Sequence, residues 1–113
     1  MAWRSSGYVT VPTAGTPVRA SDNQAQAEAF CPSHALLFQQ VSGNTGKIYI
    51  LDRANPNMTT GMGILAVLAI PTTNFLPSAS ATITYAPQGF NLAEYWIDVD
   101  VSGEKCLVSI IRA

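Results

Sequence analysis

Short apolar runs, broken by glycine, proline and asparagine, set the rhythm of this chain, and no stretch keeps up the 3.6-residue stripe of an amphipathic helix. Tyr8-Val9-Thr10-Val11 alternates and is rich in β-formers, so it predicts a first strand ended by Pro12. A turn over Thr13 to Pro17 leads to a short second strand at Val18-Arg19-Ala20. Ser21 to Ala29 reads as irregular: Ser21 or Asp22 is placed to cap a helical turn, but the alanines that follow fall at every second position. In the middle, Ala35-Leu36-Leu37-Phe38 and Ile48-Tyr49-Ile50-Leu51 flank Ser42-Gly43-Asn44-Thr45-Gly46. The glycines and asparagine supply turn conformations, so the stretch from Ala35 to Asp52 predicts a buried central hairpin.

Farther on, Asn55-Pro56-Asn57 opens a long loop that carries Met58 and Met62 among glycines. Ile64 to Ile70 predicts a strand apolar on both faces, closed by Pro71. A second loop, Thr72 to Ser80, holds Phe75-Leu76-Pro77; after it Thr82-Ile83-Thr84-Tyr85 alternates as a strand, and Pro87-Gln88-Gly89 turns. The last quarter has the clearest period of two, with Tyr95, Ile97, Val99 and Val101 on one face and Trp96, Asp98, Asp100 and Ser102 on the other. Ser102-Gly103-Glu104 turns it, and Cys106 to Ile111 returns as the expected partner strand. About eight short strands predict an all-β, single-domain antiparallel β-sandwich, jelly-roll-like, or a short barrel. Residues 1–7 read as an N-terminal arm and 8–113 as the sandwich domain.

Composition changes the picture in one respect. The 113 residues are 48% hydrophobic and only 12% charged, where an ordinary globular domain carries about 25% charge. A domain this poor in charge is expected to cover much of its surface with other chains. The net charge of −1 and the lack of a basic run leave no electrostatic footprint for nucleic acid. Ile64 to Ile70 is the longest apolar run, far short of the roughly 20 residues that cross a bilayer, so no membrane partner is expected. The polar opening Met1 to Ser6 has no apolar core of the kind an export signal carries. Without export, Cys31 and Cys106 are expected to stay reduced and unbridged, and the sequon Asn57-Met58-Thr59 to stay unmodified.

Candidate chemistry thins out on inspection. Gly43-Asn44-Thr45-Gly46-Lys47 looks like a phosphate-binding loop, but only two residues separate its glycines and Ile48, not Ser or Thr, follows the lysine. The expected strand after it also denies the anion a helix N-terminus. The single histidine, His34, has no second base or ligand nearby, and Cys31 lies three residues before it across Pro32. Glu94, Asp98 and Asp100 share a strand face, spaced so that a calcium site or a glycosidase pair is sterically feasible, but acids opposite a core face read first as a solvated surface. Trp96 among them reads as an interface anchor. No catalytic residue, metal or cofactor is expected.

Three stretches point to a family. Val9 to Arg19 (Val-Thr-Val-Pro-Thr-Ala-Gly-Thr-Pro-Val-Arg), Ser42 to Ile50 (Ser-Gly-Asn-Thr-Gly-Lys-Ile-Tyr-Ile), and Asn91 to Asp98 (Asn-Leu-Ala-Glu-Tyr-Trp-Ile-Asp) with Val-Ser-Gly-Glu-Lys after it resemble small β-rich virion proteins of tailed bacteriophages. The resemblance runs from Tyr8 to Ile111 and lies in turns and strand starts. After Ile50, relatives often carry Gly-Asp, and Leu51-Asp52 keeps only the acid. It implies a capsid decoration (cement) protein that binds the major capsid protein in a virion assembled in the host cytoplasm, or a small tail or head-fibre component. A homotrimer would suit a local threefold position on a capsid. The competing reading from another class is a carbohydrate-binding module built on Trp96 and the nearby acids. Contacts with other chains are expected at large apolar residues outside the strand pattern: Trp3 in the arm, Met58 and Met62, Phe75 and Leu76, with Trp96 as a further candidate.

Overall fold

The computed structural model describes residues 4–21, 33–41, 43–70, 80–84 and 94–112. Eight strands follow one another: β1 (Arg4–Thr10), β2 (Val18–Arg19), β3 (Ser33–Gln40), β4 (Ile48–Leu51), β5 (Ile64–Leu68), β6 (Ser80–Thr84), β7 (Trp96–Val99) and β8 (Lys105–Arg112). They form two four-stranded sheets, ordered β1-β8-β3-β6 and β2-β7-β4-β5, with every pairing antiparallel. The pairs β1 with β8, β2 with β7, β3 with β6 and β4 with β5 are successive segments of one long two-stranded ribbon. That ribbon is wound so that β3 also pairs with β8 and β4 with β7. This is the winding of a jelly roll, and the sheets stay separate layers instead of closing into a barrel.

The core lies between the sheets and is filled largely by alternate strand residues. Val9 and Val11, Leu36 and Phe38, Ile48 and Ile50, Leu68, Ile97 and Val99, and Cys106, Val108 and Ile110 are all at most 2% exposed. Tyr95 packs against this cluster, its ring tilted over Phe38 at 6.3 Å between centroids. The expected alternation from Tyr95 to Val101 therefore holds through Val99, but β7 ends there and Val101 is exposed in the following turn. β1 begins at Arg4, inside the segment read as an arm; its pairing with β8 continues past a register shift between Ser5 and Gly7.

The central hairpin needs correction. β3 and β4 lie in different sheets, and the segment between them crosses from one layer to the other. The same holds for β7 and β8, expected as partners across Ser102-Gly103-Glu104. Periodicity shows which face of a strand is buried, and in a two-layer fold a pair of inward faces can meet across the core as well as side by side. Each of these four strands is interior in its own sheet, which explains the apolar character that suggested a central pair.

The two crossings are tied together. Asn44 is buried, and its Nδ2 donates to Gln40 Oε1 and to the Lys105 carbonyl, both at 2.6 Å. Gln40 Nε2 donates to the carbonyls of Gly46 and Ala69. The lookalike phosphate loop does cradle an anion, but it is the chain's own: Glu104 accepts from the amides of Thr45 and Gly46 and from the Thr45 hydroxyl. Gly46 is required here, since a Cβ would come within 2.9 Å of Asp100 Cβ. Thus the Gly-Asn-Thr-Gly and Gly-Glu-Lys stretches form one joint.

Cys106 is a free thiol in the core, and burial pushes it up to about 12. Cys31 lies outside the described residues. Because the folded thiol holds its proton above its ordinary value of 9.0 while the unfolded one releases it, stability is full below pH 9.0 and falls as pH rises toward 12. Urea midpoints should drop between pH 8 and pH 10.5, with a shallower drop in Cys106→Ala, and alkylation of Cys106 should require unfolding. Equal pH slopes in the two proteins would show that the thiol does not carry the effect.

Candidate assembly surface

β5 is the edge of its sheet, paired only with β4 among the described residues. Its residues Ala66 and Leu68 pack against the core, while Leu65 and Val67 point out and are each 48% exposed. Tyr49 of β4 stands opposite Val67. The outer face is thus apolar where an edge strand facing water would normally carry charge. The register slips between Ile50 and Leu51, so that Leu51 pairs with Ile64 and Leu65 is left in a bulge. A bulge twists an edge and hinders addition of a further strand, so contact would be made by side chains on the face.

The loop between β4 and β5 carries further exposed apolar side chains. Asn57 Oδ1 accepts from the amides of Thr59 and Thr60, Asn57 N donates to the Met62 carbonyl, and Asp52 N donates to the Gly63 carbonyl. Gly61 and Gly63 take positive φ angles of 82° and 94°, and a Cβ on Gly63 would press into Arg53. Met58 and Met62 sit on this pinned loop 55% and 62% exposed, and Ile70 beyond the end of β5 is 46% exposed. Both methionines are thus exposed side chains on the β4–β5 loop. Trp3, Phe75 and Leu76 lie outside the described residues.

Trp96 is half-buried on the outer face of β7, and the Arg19 guanidinium lies 5.0 Å from its ring centroid. β2 pairs Arg19 with Trp96, so this cation comes from the neighbouring strand. The acids expected to share a solvated face have different fates. Glu94 and Asp100 are exposed, but Asp98 is only 7% exposed because the turn before β2 closes over it and Gly15 N donates to its Oδ1. Asp100 accepts from the Tyr49 hydroxyl at 2.8 Å and from Lys47 N. That hydrogen bond, followed by burial and the charges of Asp100 and Asp98, raises the Tyr49 phenol above its ordinary value. Next to the β4–β5 loop, Tyr49, Asp98 and Asp100 line a cleft of about 460 Å³.

The sequence did not single out Leu65, Val67 or the Tyr49 cleft. Ile64 to Ile70 is apolar on both faces by its sequence, and only the strand order makes β5 an edge. Among the described residues no group of three or more His, Cys, Asp or Glu is arranged to hold a metal ion, and no helix is long and apolar enough to cross a membrane. No family model, curated protein or solved structure matches the chain.

Proposed function

We propose that the protein is a structural component of a phage virion, a capsid decoration protein that stabilises the head lattice as a homotrimer on the major capsid protein. The observation that carries this reading is the set of exposed large apolar residues on β5 and the segments flanking it, Leu65, Val67, Ile70, Met58 and Met62, on a domain with only 12% charged residues. Such a surface is stable in water when a second chain covers it. The two-sheet winding supports the reading by analogy alone, since capsid and lectin domains both use it. The motif resemblance adds phage virion as the setting, and a compact domain with no coiled coil among the described residues favours the head over a fibre.

Sedimentation should show a trimer, and quantification of purified virions should find a copy number comparable to that of the major capsid protein. A stable monomer at high concentration that leaves empty heads bare would overturn the proposal. A copy number far below that of the capsid protein would move the protein to the tail.

A further inference from the structure

We infer that the Tyr49–Asp98–Asp100 cleft receives a basic side chain, arginine or lysine, from a protein partner other than a second copy of this chain. The inference deepens the virion reading, on which it rests for the partner but not for the chemistry. Ala14, Pro17, Pro56 and Met58 form the walls of the cleft, and Asp98 and Asp100 belong to the same lining. Asp98 is 93% buried by its 7% exposure, and its Oδ1 takes the amides of Gly15 and Val99, while its Oδ2 has no partner among the described residues. Asp100 is satisfied by the Tyr49 hydroxyl and Lys47 N, both neutral donors. Neither acid has a cationic partner among the described residues.

A carboxylate this buried ordinarily has an ion-pair partner or several strong hydrogen bonds. What fits is a cation on an apolar stem: the head meets the two acids and the methylenes lie along proline and methionine. A neutral apolar group would leave the acids without a counter-charge. A second copy is a poor source, since three of the four described basic side chains are engaged at home: Arg53 on Asp52, Arg19 over Trp96 and Lys105 over Tyr8. The cleft also adjoins the apolar surface through Met58 and Tyr49, so a chain lying on that surface can reach it.

The probe is N-butylguanidinium, titrated into the full chain while amide shifts are followed by NMR. Saturable shifts are expected at Gly15, Lys47 and Val99, whose amides bond the two carboxylates. Asp98→Asn keeps an oxygen for the Gly15 and Val99 amides and should weaken the response about tenfold, as should raised salt to a lesser degree. If that variant does not fold, Asp100→Asn is read in its place with the same expectation. Absence of saturation, an unchanged response in the folded variant, an equal response to n-butanol, or a response to glucose alone would overturn the inference, the last making the cleft a sugar site. Guanidinium binding without head decoration would count against the virion reading alone, and decoration without guanidinium binding against this one alone.

Discussion

Asn44→Ala is expected to lower unfolding stability by about 2–3 kcal/mol, read as a shifted urea midpoint at unchanged m-value. The side chain is 8% exposed and joins three pieces of chain: the end of β3 through Gln40, its own crossing loop, and the start of β8 through Lys105. Truncation leaves the Lys105 carbonyl without this donor and takes from Gln40 Oε1 a partner at 2.6 Å. Asn44→Asp provides the sharper comparison. It keeps the volume but replaces the donating amide with a second acceptor facing two acceptors, so it should cost more than alanine at neutral pH. If the aspartate variant is as stable as wild type, the amide does not carry the joint. A value for alanine within about 0.5 kcal/mol of wild type would place the site among ordinary surface positions.

That joint marks where the sequence was legible and where it was not. Strand positions followed from the period of two, because burial of one face leaves a pattern in the residues themselves: Ile97 and Val99 against Trp96 and Asp98, or Val9 and Val11 against Tyr8 and Thr10. Pairing left no such pattern. Gly43-Asn44-Thr45-Gly46 is equally good chemistry for a hairpin and for a crossing, and what decides is a buried amide whose partner Lys105 lies 61 residues away. The acids show the same limit from another side. Asp98 and Asp100 are equivalent by spacing, and only the turn carrying Gly15, 83 residues earlier, buries the first. Local rules therefore gave the elements, and contacts between distant loops gave both the topology and the cleft. Met58 and Met62 were legible as exposed because glycine-flanked methionine in a loop has no strand face to bury it.

Leu65→Lys combined with Val67→Lys is expected to abolish self-association and head binding while the isolated domain keeps its fold. The separation of effects follows from the alternation along β5. Ala66 and Leu68 pack toward the core and are untouched, whereas the two substituted side chains already point outward at 48% exposure. Lysine on an edge strand is what soluble sheets use to refuse partners, so each substitution places a charge that must be desolvated before another chain can sit there. Losing two apolar anchors and burying two unpaired ammonium groups should exceed the binding energy of a standard interface, and the sedimentation profile should collapse to monomer. Met58→Ser with Met62→Ser should act in the same direction more weakly, since flexible methionines add adaptable contact at the rim and introduce no charge. The amide spectrum of the lysine variant should overlay that of the wild-type domain away from β4, β5 and their connecting loop. If the lysine variant still assembles at wild-type concentration, the apolar face of β5 is not the contact. The outer face around Trp96, with Arg19 stacked on it, then becomes the surface to substitute.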